Sequence, residues 1–179
     1  MSASCNVLLI TGLPGIGKTT VIKKVVSSLP GFNIRGFYTE EIRINTMRQG
    51  FTLVTFQGER LVMAHIDSAS SYRVGKYGID VAAIDRAVTL TLYEGHDPEV
   101  FLIDEIGKME CFSGLFVNRL SALIDSGKPV VATIARKGAG FIAAVKNRPG
   151  IELWEVTRKN RDEMPGRIVS WIRDNPLHP

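Results

Sequence analysis

The sequence predicts an α/β fold in which helices cover both faces of a mostly parallel β-sheet. Short apolar runs typical of buried strands alternate with segments of helical periodicity along the 179 residues. The first run leads through a glycine-rich loop directly into a helix, and no repeat or linker rich in Pro, Gly or Ser interrupts the chain. Because 45% of the residues are hydrophobic, the chain can bury one sizeable core. We therefore expect a single domain over residues 1–179.

The first three elements are a strand, a glycine loop and a helix. Residues Asn6–Ile10 form a continuous apolar run, which is typical of a strand buried on both faces of a parallel sheet. Gly12 ends this run. From Lys18 to Leu29 the apolar residues recur at helical spacing, and a Pro-Gly pair then ends the pattern.

A second strand and an inserted hairpin follow. The pattern predicts a strand over Ile34–Tyr38, with the acidic pair Glu40 and Glu41 at its carboxyl end. Residues Phe51–Phe56 and Leu61–Ile66 flank the polar turn Gln-Gly-Glu-Arg. These two runs predict a β-hairpin inserted into the α/β core.

The second half of the chain continues the alternation of helices and strands. Asp80 is predicted to cap a helix over Val81–Tyr93, and the apolar strand Val100–Ile103 ends abruptly in two acidic residues. Ligands bind at the carboxyl ends of the strands in sheets of this kind, so we expect the site there. The remaining predicted elements are a helix from Phe112 to Ile124, a strand over Pro129–Ile134, a short helix over Phe141–Lys146, a strand over Ile151–Val156 and a helix around Ile168–Ile172.

Composition excludes several classes of protein. The balance of 22 basic and 18 acidic residues gives a net charge of +4, which suits an anionic ligand but does not by itself indicate nucleic-acid binding. The two cysteines, Cys5 and Cys111, form no metal-binding or disulfide pattern. No basic residue precedes the apolar stretch Val7–Ile10, and no apolar run is long enough to span a bilayer. We expect a monomeric cytoplasmic protein that does not contact a membrane.

The strongest motif lies between the first strand and the first helix. Residues Gly12 to Thr19 fit the pattern GxxxxGK[ST], in which backbone N–H groups surround phosphate oxygens. In this pattern Lys18 reaches the β and γ phosphates, and the hydroxyl of Thr19 can bind Mg²⁺. The amino terminus of the following helix also favours an anion. The motif predicts a site for a nucleoside triphosphate with magnesium.

Two carboxylates complete the predicted site. A carboxylate at the end of a buried strand can hold magnesium or its water shell, so Asp104 and Thr19 are the candidate metal-binding residues. Asp104 is also a plausible helix cap when it is considered without the loop. The adjacent Glu105 can polarise the water that attacks the γ phosphorus. Lys18 and Glu105 are therefore the candidate catalytic residues.

Other polar residues have two interpretations. Thr133 can hydrogen-bond the γ phosphate or the attacking water, or it can be an ordinary strand threonine. Glu40 and Glu41 can contact a metal or water, or they can form a solvated acidic turn. Phosphoryl transfer commonly uses a further positive group, and spacing does not choose among the candidates. These candidates are Arg136, Lys137 and Arg161.

The chain resembles the THEP1-type nucleoside-triphosphatases of bacteria, archaea and animals. The resemblance extends over nearly the whole chain and rests on Thr-Gly-x-Pro-Gly-x-Gly-Lys-Thr-Thr at 11–20, Gly-Phe-Tyr-Thr-Glu-Glu at 36–41, Ile-Asp-Glu-Ile-Gly-Lys-Met-Glu at 103–110 and Thr-x-x-Asn-Arg at 157–161. It implies slow hydrolysis of ATP, GTP and other nucleoside triphosphates, with broad base selectivity. It also implies a three-layer P-loop NTPase fold with a RecA-like core, in which the acidic strand is not directly beside the first strand.

The resemblance also implies which residues bind nucleotide. Asn160 and Arg161 are expected near the base or ribose, whereas residues 134–140 match the family pattern poorly. The other implied nucleotide-binding residues are Gly12, Leu13, Pro14, Gly15, Ile16, Gly17, Lys18, Thr19 and Thr20 of the loop, and Val100, Phe101, Leu102, Ile103, Asp104, Glu105, Ile106 and Gly107 of the acidic strand.

Two other functions remain open at the level of sequence. A nucleotide or small-molecule kinase uses the same phosphate loop to transfer phosphate to a hydroxyl, although the basic residues here are scattered and do not form an arginine-rich lid. The sequence pI of about 9.2 also permits a nucleotide-gated or nucleic-acid-stimulated switch. No stripe of interleaved aromatic and basic residues supports nucleic-acid binding.

Overall fold

The computed structural model describes residues 6–93, 95 and 97–175. Cys5 lies outside the described residues, and Cys111 is a half-buried free thiol. The strands are β1 Val7–Gly12, β2 Ile34–Ile44, β3 Met47–Thr55, β4 Arg60–His65, β5 Arg73–Val74, β6 Tyr77–Ile79, β7 Val100–Ile106, β8 Val130–Ile134 and β9 Glu152–Val156. The helices are α1 Lys18–Ser27, α2 Val81–Thr91, α3 Gly114–Asp125, α4 Phe141–Lys146 and α5 Met164–Asp174, with a 3₁₀ turn at Glu110–Phe112.

All nine described strands belong to one sheet, in the order β5-β6-β4-β3-β2-β7-β8-β1-β9. Strands β2, β7, β8, β1 and β9 pair in parallel, and β3 to β6 extend the sheet in antiparallel fashion. The acidic strand β7 is separated from β1 by β8. This order confirms the predicted RecA-like core.

Helices cover both faces of the parallel sheet, which confirms the three-layer architecture. Successive side chains of a strand point to opposite faces. On β1, Leu8 and Ile10 pack in a cluster with α1 and α5, whereas Val7 and Leu9 pack in a cluster with α2, α3 and α4. The core strands are therefore buried on both sides, which explains why β1 and β7 read as continuous apolar runs.

Strand β2 is longer than predicted and differs from the sequence interpretation. It continues to Ile44 and pairs with β3 through a two-residue turn at Asn45 and Thr46, whose φ angles are 47° and 68°. Such turns usually contain glycine, so the turn was not recognisable from sequence. Glu40 and Glu41 consequently lie within a strand, and the prediction that they follow a strand end was wrong.

The other differences concern boundaries. The predicted hairpin is present as β3 and β4, but it is part of a larger antiparallel unit that also contains β5 and β6. Strand β7 continues past Ile103 because Ile106 still pairs with Ile134 of β8. Asp80 caps α2 as predicted, since its side chain accepts a hydrogen bond from the backbone N–H of Ala83 at 3.0 Å. No helix within the described part of the chain has the length and apolar character that crossing a bilayer requires.

The close pairing of β2 with β7 depends on Gly36. This residue has a φ of 122°, and a Cβ placed on it would lie 1.8 Å from the carbonyl oxygen of Leu102. We expect Gly36→Ala to lower the free energy of unfolding by about 3 kcal/mol or more, because it adds a backbone clash to positive-φ strain. Urea denaturation measures this change.

Gly58→Ala is the matched control. Gly58 also has a positive φ, of 97°, but a Cβ there would meet no atom within 4 Å. We expect this variant to lose only about 1–2 kcal/mol. Equal losses in the two variants would contradict the proposed role of Gly36 in strand pairing.

Candidate functional site

The glycine loop joins the carboxyl end of β1 to the amino end of α1. Gly15 and Gly17 have φ angles of 74° and 109°, which let the loop turn sharply into the helix. Gly17 is the N-cap of α1 and makes no side-chain cap, so the first N–H groups of the helix are available to an anion. The amine of Lys18 donates to the carbonyl oxygen of Gly12 at 3.3 Å, which places it over the loop.

Asp104 is the central residue of the site. It is only 1% exposed, and three threonine hydroxyls from three different elements surround it. Thr19 of α1 donates to Oδ2 at 2.6 Å, and Thr133 of β8 donates to Oδ1 at 2.5 Å. The hydroxyl of Thr39 on β2 lies 3.3 Å from Oδ2 and 3.2 Å from the Asp104 carbonyl oxygen. Thr133 therefore orients Asp104, a contact that neither of its sequence interpretations includes.

The oxygens of Thr19 and Asp104 form a donor set that suits magnesium. Within the described residues, no three His, Cys, Asp or Glu side chains are grouped so that they could hold a metal by themselves. Mg²⁺ needs no such cluster, because it keeps several waters and binds one or two protein oxygens together with substrate phosphates. The hydroxyl of Thr19 and Oδ2 of Asp104, 2.6 Å apart beside the loop, fit that requirement.

Glu105 lies next to Asp104 and is half-buried. The peptide bond between the two residues is cis. Burial raises the pKa of the Glu105 carboxyl above its ordinary value, and the charge of Asp104 adds to this effect, while Lys18 and Lys146 oppose it. A carboxylate with a raised pKa is a stronger base, which suits the predicted role of accepting a proton from water.

A front cavity of about 550 Å³ opens between the glycine loop and the β2–β3 hairpin. The loop contributes Lys18 and Thr19, and the hairpin contributes Thr39, Arg48 and Phe51. Glu105 and Thr20 also line this cavity. The cavity thus brings most of the predicted phosphate-binding residues together with groups from β2 and β3 that lie far away in the sequence.

Glu40 and Glu41 line the front cavity but are engaged in ion pairs. Glu40 bridges Lys23 and Arg60, each at 2.7 Å, and these contacts lower the pKa of its carboxyl. Glu41 pairs with Arg43 and Arg48. Glu40 therefore links the hairpin to α1 and to β4, and Glu41 links β2 to β3 within the hairpin.

Two further cavities adjoin the glycine loop. A rear cavity of about 440 Å³ is lined by Leu13, Pro14, Lys18, Glu105 and the segment 135–137, so it contains Arg136 and Lys137. A side cavity of about 160 Å³ lies between α1 and the loop after β9, and Arg161 lines it. The three candidate positive groups thus lie on two different sides of the loop.

Several residues implied by the resemblance pack in the core or bond within a loop beside the site. The side chains of Val100, Phe101, Leu102, Ile103 and Ile106 are fully buried in the two apolar layers, where they position the acidic end of β7. The amide of Asn160 accepts from the backbone N–H of Thr157 at 2.8 Å and donates to the carbonyl oxygen of Glu155 at 2.9 Å. Asn160 therefore shapes the loop that presents Arg161.

The structure adds Glu110, which sequence reasoning left without a role. Its side chain is buried near Glu105: a Cβ on Gly107 would lie 2.8 Å from Oε2 of Glu110 and 3.4 Å from Oε1 of Glu105. Burial raises the pKa of Glu110 to about 8, its own backbone N–H acts in the opposite direction, and the charges of Glu105 and Asp104 raise it further. In the sequence, the burial of Glu110 was indicated only by the apolar residues beside it.

A family model, protein sequences and a solved structure that are similar to this chain are all described as nucleoside-triphosphatases or members of that family. A protein-family model described as NTPase matches residues 7–169. The nucleoside-triphosphatase THEP1 of Thermotoga sp. (strain RQ2) is 40% identical over 169 residues, covering 94% of this chain and 96% of that protein. The cancer-related nucleoside-triphosphatase of Homo sapiens is 32% identical over 184 residues, with coverage of 94% and 97%. The crystal structure of THEP1 from the hyperthermophile Aquifex aeolicus matches with a TM-score of 0.85 and 34% identity, covering 93% of this chain and 98% of that one.

The raised pKa of Glu110 predicts a pH dependence of stability. Since its folded value of about 8 exceeds its ordinary value of 4.5, the folded protein binds more protons than the unfolded protein between these values. Stability present below pH 4.5 is therefore lost as the pH rises toward about 8, by up to about 1.4 kcal/mol per pH unit. We expect Glu110→Gln to remove this loss. The free energy of unfolding of the variant, relative to that of the wild type, should therefore increase as the pH rises.

Urea denaturation of the nucleotide-free protein measures this effect at pH values from below 4.5 to above 8, which span the interval between the two pKa values. The exposed Glu163→Gln is the matched control and should follow the wild type at every pH. A difference between Glu110→Gln and the wild type that does not change with pH would show that Glu110 is not held protonated by the fold.

Proposed function

The chain belongs to the NTPase family of nucleoside-triphosphatases, and we propose that it hydrolyses ATP, GTP and other nucleoside triphosphates slowly and with magnesium. The products are the nucleoside diphosphate and inorganic phosphate. The enzyme class follows from the family, whereas the choice of nucleotides, the metal and the roles of individual residues are our proposal.

The observation that carries the proposal is the position of the Asp104–Glu105 pair beside the glycine loop. Thr19, the last residue of the loop motif, is hydrogen-bonded to Asp104 at 2.6 Å, so the phosphate-binding and acidic segments meet in one place. Glu105 lines the front cavity together with Lys18. A triphosphate held by the loop would therefore have its γ phosphate between a cation and a candidate base.

Each residue then has a defined part in hydrolysis. The loop N–H groups and Lys18 bind the phosphates, and Thr19 and Asp104 would hold Mg²⁺. When bound, Mg²⁺ would neutralise charge on the β and γ phosphate oxygens. The carboxylate of Glu105 accepts a proton from the attacking water as the oxygen–phosphorus bond forms and the bond to the diphosphate breaks.

The residues that line the front cavity and the side cavity support broad base selectivity. The front cavity holds Lys18 and the loop N–H groups, which suit the triphosphate that all nucleotides share, while its other cations Lys23 and Arg48 are paired with Glu40 and Glu41. We propose that the base or ribose lies near Arg161 in the side cavity, which is small and open to the guanidinium. A guanidinium stacks on any base, so this contact would not select one.

The names of the similar proteins favour hydrolysis over the kinase alternative, because they describe nucleoside-triphosphatases from bacteria and from Homo sapiens. A carboxylate beside the γ phosphate activates water or a hydroxyl alike, so the preference for hydrolysis rests on these names.

Phosphate release from a panel of nucleoside triphosphates tests the proposed function. We expect the wild type to hydrolyse several of them, and chelation of magnesium to stop the reaction. Lys18→Ala and Glu105→Gln should each slow turnover on the order of 10²-fold or more, since each removes a principal catalytic group. Glu105→Gln should still bind nucleotide.

Lys76→Ala and Glu163→Gln are matched controls, because both residues lie outside the three cavities and on the exposed surface. Wild-type protein that binds nucleotide but releases no phosphate would refute the hydrolase proposal. Turnover of Glu105→Gln at the wild-type rate would refute the role of Glu105 alone.

A further inference from the structure

The rear cavity lies on the opposite side of Lys18 and Glu105 from the hairpin that bounds the front cavity. Pro14, Lys18 and Glu105 line both cavities, so these three residues form the boundary between them. The rear cavity holds about 440 Å³ and ends at Ala135, Arg136 and Lys137, the segment that follows β8. None of the roles assigned above uses this space.

The geometry of hydrolysis indicates on which side of the diphosphate the product phosphate forms. The attacking water and the leaving diphosphate lie on opposite sides of the γ phosphorus, and the phosphorus moves toward the water as the new bond forms. If Glu105 holds the water, the new phosphate is formed on the Glu105 side of the diphosphate. The water proton goes to Glu105, which then carries no charge that would repel the product.

We propose that the rear cavity binds the inorganic phosphate produced by hydrolysis and releases it before the diphosphate leaves the loop. This inference rests on the proposed function, because it assumes that Glu105 activates the water. The ligand is a free phosphate dianion or monoanion.

The charges at the end of the rear cavity fit such a ligand. The amine of Lys146 donates to the carbonyl oxygens of Ala135 at 2.6 Å and Arg136 at 2.9 Å, which fixes the backbone of this segment. The Arg136 guanidinium is half-exposed and 3.8 Å from the carboxylate of Glu155, a distant and solvated contact. Lys137 makes no hydrogen bond or ion pair with any described residue. Both cations can therefore turn toward an anion without giving up a strong partner.

Calorimetric titration of inorganic phosphate into the Glu105→Gln protein saturated with magnesium and ADP tests the site, because the amide is uncharged like the carboxyl that has taken the water proton. The diphosphate occupies the loop in this complex, so added phosphate reports on the space beyond it. We expect Arg136→Ala and Lys137→Ala each to weaken phosphate binding roughly fivefold, and the double variant on the order of 20-fold, because each removes one positive charge near the anion. These substitutions are made in the Glu105→Gln protein, and the exposed Arg158→Ala, in the loop after β9, is the matched control that should bind phosphate as Glu105→Gln alone does.

Equal phosphate affinity with and without the double substitution of Arg136 and Lys137 would overturn the proposal, as would the absence of phosphate binding to the ADP complex of Glu105→Gln. The order of release gives a second test, with a fluorescent phosphate sensor and a fluorescent nucleotide followed in one turnover. Phosphate should leave first, and earlier departure of the diphosphate would overturn the exit role. The titration needs no turnover, so failure of hydrolysis would refute the proposed function without removing the anion site.

Discussion

The buried carboxylate of Asp104 constrains the whole site. A carboxylate that is 1% exposed destabilises a protein unless hydrogen bonds compensate it, and here the donors are the hydroxyls of Thr19, Thr39 and Thr133. These residues belong to α1, β2 and β8. The sheet places β7 between β2 and β8, and α1 begins beside the end of β7, so all three hydroxyls meet at one carboxylate.

This arrangement links sheet order to chemistry. Because β8 lies between β7 and β1, Thr133 reaches Asp104 from one side while the glycine loop approaches from above. Strand β2 lies on the other side, and its extension beyond Thr39 forms the wall of the front cavity. The ion pairs of Glu40 hold that wall against α1 and β4, and those of Glu41 lie within the hairpin, so cations and anions in the front cavity partly balance. The same sheet therefore supplies Asp104, two of its threonine partners and the hairpin wall of the front cavity.

Sequence patterns predicted those parts of the molecule whose signals are local. The strand, glycine loop and first helix, the acidic end of β7 and the cap at Asp80 each depend on residues close together in the chain. The contacts of Thr39 and Thr133 with Asp104 span 65 and 29 residues, and a strand threonine carries no sign of such a partner. They could be found only once the strand order was known.

Other features were hidden for different physical reasons. The turn at Asn45 and Thr46 takes positive φ angles without glycine, so the extension of β2 was missed. The amide of Asn160 bonds within its own loop, a contact that the resemblance did not specify. Burial of Glu110 next to Glu105 follows from packing under the end of β7, which no short pattern specifies.

The most direct test of this account is the magnesium dependence of turnover in Thr133→Val. The substitution keeps the shape of the side chain but removes the hydroxyl that bonds Oδ1 of Asp104 at 2.5 Å. We predict that it raises the magnesium concentration for half-maximal turnover and lowers the maximal rate, whereas Thr91→Val, at a buried threonine whose hydroxyl bonds only within α2, changes neither. Magnesium dependence in Thr133→Val that equals the wild type would contradict the claim that the threonine hydroxyls orient Asp104 for its function.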